Sequence, residues 1–330
     1  MNGRTAEEKF FTLLRAGLRE TRISGLSVTD EEWEEILRIA RRQTVLGIVS
    51  HGISLLPEEE MPPVPQRIAL LVETGKISNR TDLVRETARK LVADFQAAGL
   101  HPVVMKGPAV GRYYPVPSLR TSGDIDLFFG GKEYSSALSR LAALGTDVRH
   151  EPDGSHVYSW DGVTVEHHPR YFDLHLKNGS LPPVPSPEAE LLMLSAHILK
   201  HAIGVGVGLR QICDTAQACV ALQGKYDSEV LLSCIRKAGM QRWHDILCSF
   251  LKEYLGVPSD ALPAHRPADP SALLGIVRSG GNFGQHRAGG RAGKAGTVGS
   301  FLRRLPFSLR TAPRETFRTI LELAKGNLTP

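Results

Sequence analysis

Two aspartates two residues apart, Asp124 and Asp126, stand inside the run Arg120-Thr121-Ser122-Gly123-Asp124-Ile125-Asp126-Leu127-Phe128-Phe129. Successive strand side chains point to opposite sides, so the two carboxylates share one face while Ile125 and Leu127 turn towards a core. Two anions held close on an apolar strand repel each other and resist desolvation. A hard divalent cation with oxygen ligands relieves both costs. Taken alone, an Asp-x-Asp pair is explained as well by a solvated strand face, because short motifs match by chance.

Two neighbouring stretches bear on the choice. Upstream, His101-Pro102-Val103-Val104-Met105-Lys106-Gly107 reads as a short apolar strand ending in a basic residue and a glycine. Gly107 lets backbone approach an anion closely, and Lys106 or Arg120 supplies positive charge for phosphate oxygens. Downstream, Val157-Tyr158-Ser159-Trp160, Asp161-Gly162 and Val163-Thr164-Val165-Glu166-His167-His168 read as a hairpin, since Asp-Gly between β-prone runs favours a tight primed turn. Glu166 is then a third acid in the same small sheet. Each stretch also has a plain reading, a strand-to-turn junction at Lys106-Gly107 and a solvated carboxylate at Glu166.

In this order the pieces resemble the nucleotidyltransferase superfamily that includes DNA polymerase β, and more closely its poorly characterised bacterial branch. The resemblance is carried by Met105-Lys106-Gly107, Tyr113-Tyr114-Pro115, Arg120, Ser122-Gly123-Asp124-Ile125-Asp126-Leu127 and Val165-Glu166-His167-His168. The stretch from His197 to Asp214, ending in Leu209-Arg210-Gln211-Ile212-Cys213-Asp214, is similar to that branch's helical His-and-Asp segment. Gly280-Gly281-Asn282-Phe283-Gly284 is similar to its later glycine turn. Similarity runs thinly over residues 30 to 285, with specific motifs only from Met105 to His168. Where the wider superfamily has a Gly-Ser pair at its first helix, this chain has Lys106-Gly107-Pro108, as the less studied branch does.

The resemblance implies transfer of a nucleoside monophosphate from a nucleoside triphosphate such as ATP to a hydroxyl acceptor. It implies Mg2+, or Mn2+, held by Asp124, Asp126 and Glu166 as catalytic acids, with Glu166 on the attacking side and able to take the acceptor's proton. Lys106, Gly107, Arg120, Ser122 and Gly123 would hold phosphates. His168, His201 and Asp214 would lie on the acceptor side. Of His167 and His168, one is expected to touch the site and the other to pack or meet solvent.

Composition fits an ordinary enzyme with room for a core: 330 residues, 42% hydrophobic, 23% charged, net charge +5. No apolar run approaches the roughly 18 to 20 residues a membrane helix needs, and Arg4, Glu7, Glu8 and Lys9 leave no signal-peptide core. Cys213, Cys219, Cys234 and Cys248 show no Cys-x-x-Cys spacing and read as reduced core thiols, so a cytoplasmic setting is expected.

The elements that must position the acids are mainly helical. Thr29 with Glu32 forms a capping box ahead of Trp33, Ile36, Leu37 and Ala40 at helical spacing. The pattern predicts a polar helix from Ile77 to Ala98, preceded by a proline-rich connection over 56–65. Leu181 to Pro187 reads as a stiff linker, with Pro187 and Glu188 opening a new helix. The expected fold is α+β, a small mixed β-sheet core over 100–180 between an N-terminal helical region, 1–99, and a C-terminal one, 181–330. His197 and His201 share a helical face but lack the zinc-protease glutamate, so helix packing is expected of them.

From Arg278 to Arg318, nine Lys or Arg stand against Glu315 alone, and the segment reads as a flexible basic loop before a last helix, Glu315 to Lys325. Nucleic acid stays open as a partner but is not favoured, since no aromatics are interleaved for base stacking. Two rival readings remain: a catalytically silent nucleotide-binding module, and an RNA-binding protein led by the basic segment.

Overall fold

A computed structural model of the chain describes residues 5–151, 154–172, 181–204, 206–280 and 294–324. The fold is α+β, with thirteen helices and one five-stranded sheet among these residues. Four helices lead in: α1 (Ala6–Arg19), α2 (Asp30–Arg42), α3 (Leu46–Ile53) and α4 (Val64–Ala97). The sheet region contains β1 (Val103–Val104), α5 (Pro108–Gly111), β2 (Asp124–Phe128), α6 (Glu133–Ala143), β3 (Arg149–His150), β4 (His156–Trp160) and β5 (Val163–His168). Seven helices follow: α7 (Pro187–Ile203), α8 (Leu209–Ala221), α9 (Ser228–Ala238), α10 (Gln241–Leu255), α11 (Ser271–Gly280), α12 (Lys294–Thr311) and α13 (Pro313–Ala324).

Local signals place many of these boundaries. Thr29 and Glu32 close the expected capping box at the start of α2, and Thr5 with Glu8 does the same for α1. Ser186 caps α7, whose first residue is Pro187, where a missing N–H costs nothing. Asp161 and Gly162 both take positive φ, 48° and 74°, the primed turn that matches the twist of β4 and β5.

The sheet order is β1-β2-β5-β4-β3. Here β2 runs parallel to β5 and antiparallel to β1, while β4 is antiparallel to both β5 and β3. One face is apolar: Ile125, Leu127, Val163, Val165 and Tyr158 pack with Val84, Ala88, Leu91 and Phe95 of α4 and Ala137 and Leu141 of α6. The other face carries the acids. A second and larger core joins α1 to α3 with α7 to α11, so the leading and trailing helices bury their apolar faces against one another. At Gly47 of α3 a Cβ would stand 2.2 Å from the carbonyl oxygen of Leu119. That close approach brings the N-terminal helices directly against the segment leading into β2.

Three expectations need correction. The helix predicted from Ile77 begins at Val64, because Pro65 fits a first helical turn and exposed Val64, Ile68, Leu71 and Val72 blur the apolar period there. The result is one helix of 34 residues, about 50 Å long. The basic segment is not a loop over its second part: residues 294–311 form α12 and the last helix starts at Pro313. Its charges are partly absorbed in packing, Arg304 donating to the Gly204 carbonyl at 2.8 Å and Arg278 pairing with Glu7. Gly281 to Gly284, Arg287 and Arg291 lie outside the described residues. No helix among the described residues is long and apolar enough to cross a membrane.

Candidate active site

Strand register decides the geometry of the acids. Asp126 of β2 stands directly opposite Glu166 of β5, and parallel partners face the same side, so these two carboxylates project together. Two residues on, His168 falls on that side as well. Ligand atoms of Asp126, Glu166 and His168 all lie within 4.8 Å of one another, the one such cluster able to hold a metal ion among the described residues. His167 alternates to the other face, fully buried against Phe95, Phe129 and Tyr158, with the Tyr158 hydroxyl 2.9 Å from its Nε2. Burial drops the His167 pKa to about 3, so the ring is neutral.

Asp126 is the enclosed acid, and its Oδ1 receives Lys106 Nζ at 3.0 Å and His168 Nε2 at 2.7 Å. Burial alone would favour the protonated carboxyl. The Lys106 ammonium and the His168 hydrogen bond outweigh it and hold Asp126 well below the usual carboxylate range. Asp124 opens towards solvent at the cleft, yet crowding by protein and the nearby Asp126 charge push its pKa upward. Two carboxylates shifted in opposite directions, side by side on one strand, mark a strongly polarised site.

The loop before β2 is held from below by α4. Thr81 Oγ1 donates to the Arg120 carbonyl at 3.2 Å and accepts from the Ser122 amide at 3.3 Å. Arg80 donates to the carbonyls of Gly123 and Gly162, tying the entry of β2 to the β4–β5 turn. On the other flank, Gly107 takes φ 49° and ψ −109°, and a Cβ there would come within 3.3 Å of the Asp124 carbonyl oxygen. Only glycine meets both demands comfortably.

A cleft of about 310 Å³ lies over this face. Its floor is formed by Lys106, Gly107, Asp124, Asp126, Glu166 and His168. Its far wall comes from one face of α7, with His197, Lys200 and His201, and from α8, with Arg210, Gln211 and Asp214. His197 and His201 therefore look into the cleft instead of serving only to pack helices, their rings 4.5 Å apart.

Arg120 and Asp214 both line the cleft, and there they are bound to each other. They form a buried bidentate pair: Arg120 Nε meets Asp214 Oδ1 at 3.0 Å, and Arg120 Nη2 meets Oδ2 at 2.5 Å. Tyr114 donates its hydroxyl to Asp214 Oδ1 at 2.7 Å, and Arg120 Nη1 donates to Ser122 Oγ at 2.9 Å. Although burial would lower it, the Arg120 pKa is raised by Asp214. The pair fastens α8 to the sheet at the edge of the cleft. Ser122 and Gly123 do not line the cavity.

Arg210, Lys200 and Tyr114 had no role assigned from the residues. Arg210 was detectable, because it precedes Asp214 by four on a helix and must share its face. Lys200 and Tyr114 gave no comparable signal.

The mixed sheet with helices against its apolar face is the architecture of an α+β nucleotidyltransferase core. Residues 29–256, more than half of the 330-residue chain, match the family described as "Uncharacterised nucleotidyltransferase", and the chain belongs to that family. No curated protein and no solved structure matches it. Membership supports a transferase whose substrate is a nucleotide.

Proposed function

We propose that this cleft performs metal-dependent nucleotidyl transfer, passing a nucleoside monophosphate from a nucleoside triphosphate to a hydroxyl acceptor with loss of pyrophosphate. The observation that carries the reading is the Asp126–Glu166 register, which sets two acids from separate strands on one face beside Asp124. Their oxygens suit Mg2+, or Mn2+, better than a thiolate-seeking metal. Asp126 and Glu166 would hold the ion, with Asp124, which lies outside the Asp126–Glu166–His168 cluster, joining from farther along β2, and when bound it supplies Lewis-acid stabilisation of phosphoryl oxygens. His168 Nε2 then serves to orient Asp126, and Glu166, the more exposed of the pair, accepts the acceptor's proton.

The cleft is charge-balanced before any ligand binds. Four acids, Asp124, Asp126, Glu166 and Asp214, face four strong bases, Lys106, Arg120, Lys200 and Arg210. Added divalent charge therefore makes it net positive, complementary to a triphosphate. Because Arg120 is spent on Asp214, the phosphate contacts fall to Lys106, Lys200 and Arg210. The acceptor enters beside His197 and His201, and a small molecule or a protein side chain suits an opening of this size better than a nucleic acid. This is the chemistry of the superfamily that includes DNA polymerase β, carried out in the cytoplasm, where buried thiols such as the four free cysteines stay reduced.

Calorimetric titration with each of the four nucleoside triphosphates, with and without Mg2+, tests the reading. Magnesium-dependent binding that disappears in Asp126→Ala/Glu166→Ala is expected. Triphosphate binding that ignores both magnesium and the double substitution would refute it in favour of a silent nucleotide module.

A further inference from the structure

Of the three acids placed to hold a metal, Asp126 is the one already paired with an ammonium. Asp126 is 6% exposed, and a carboxylate so enclosed needs a counterion. Lys106 Nζ supplies it at 3.0 Å, on the same Oδ1 that His168 approaches at 2.7 Å. The main chain fixes the geometry: the Met105 amide donates to the Asp126 carbonyl at 3.0 Å, so Lys106 begins one residue from the β1–β2 pairing. Its flexible four-carbon stem lets the ammonium relocate without disturbing that backbone. Arg120 has no such freedom, because Asp214, Ser122 and the Thr121 carbonyl occupy its guanidinium.

We infer that Lys106 is the resident counterion of the metal site: its ammonium neutralises Asp126 until a divalent cation arrives, then passes to the phosphate oxygens of the incoming triphosphate. The inference rests on the nucleotidyltransferase reading of the cleft and adds a handover to it. A divalent ion on the Asp126 carboxylate and an ammonium at contact distance on the same group repel each other strongly, whichever oxygen the ion takes. Cation and Lys106 therefore compete for one carboxylate. Either ligand alone binds weakly, since the cation must evict Lys106 and the nucleotide finds Lys106 engaged. Each binds better in the presence of the other, by the same factor.

The test is Mn2+ titration of the full chain, reading free Mn2+ by electron paramagnetic resonance, for wild type, Lys106→Met, Lys106→Gln and Asp126→Ala. Without nucleotide, both Lys106 variants are expected to bind Mn2+ about tenfold more tightly than wild type, the size of a charge-assisted hydrogen bond removed from competition. In wild type, a non-hydrolysable ATP analogue should tighten Mn2+ binding, and this coupling should shrink in either variant. Equal or weaker Mn2+ binding by the Lys106 variants, with binding still lost in Asp126→Ala, overturns the handover alone. No Mn2+ binding by wild type or variants overturns the handover together with the metal-site reading beneath it. The wild-type coupling needs no variant to fold, and its absence overturns the handover by itself.

Discussion

Removing one member of the Arg120–Asp214 pair should cost far more stability than removing both. Each side chain is 5% exposed, and the two share a bidentate contact at 3.0 and 2.5 Å. Asp214→Leu leaves a guanidinium buried without its carboxylate, and Arg120→Met leaves the carboxylate without its bidentate partner, though still bonded to the Tyr114 hydroxyl. Each single change should therefore cost about 3–5 kcal/mol. The double variant Arg120→Met/Asp214→Leu removes both charges and takes a bond from neutral partners such as Tyr114, Ser122 and the Thr121 carbonyl, at a cost of roughly 1–3 kcal/mol. A double-mutant cycle from urea unfolding midpoints should then show a coupling of at least about 3 kcal/mol. Nucleotide affinity, measured on the double variant, should change much less than stability does. Single variants within about 1 kcal/mol of wild type, or an additive double variant, would refute the structural account. Arg120→Met that folds normally but loses triphosphate binding would restore Arg120 to the phosphate site.

Asp126→Ala should keep its circular dichroism spectrum while turnover in an acceptor assay falls by roughly 10²–10³-fold or more, since it removes an electrostatic element of the site. His167, whose pKa falls from 6.5 unfolded to about 3 folded, makes the unfolded chain bind the extra proton between those values. Stability from this group is thus complete above pH 6.5 and is lost on acidification towards pH 3, by up to about 1.4 kcal/mol per pH unit. His167→Phe should flatten that part of the pH–stability curve in urea titrations, and an unchanged slope would count against a neutral buried ring. Gly107→Ala should destabilise the chain by about 1–3 kcal/mol, because the positive φ and the approach to the Asp124 carbonyl both resist a Cβ. A thermal shift of zero would contradict it.

The residues that were legible in the sequence are those governed by neighbours along the chain. Asp124 and Asp126 share a face, His167 and His168 split between core and cleft, and Asp161-Gly162 turns the hairpin, because strand alternation and turn chemistry act over two to four residues. Thr29 with Glu32, and Pro187 at the head of α7, are equally local. The start of α4 was not legible, because its exposed apolar residues carry no clean period, and α12 was hidden under a basic, glycine-containing segment.

What the tertiary structure alone decided is which distant residues meet. Asp126 faces Glu166 through a parallel register set across forty residues, and Arg120 is claimed by Asp214 at a separation of 94. Lys106 reaches Asp126 across the β1–β2 edge and so stands as its counterion. Residue types fix what chemistry each group can do. Partner choice depends on which pairing of elements buries the most apolar surface while leaving no charge unmatched, and that balance is struck by the whole chain at once.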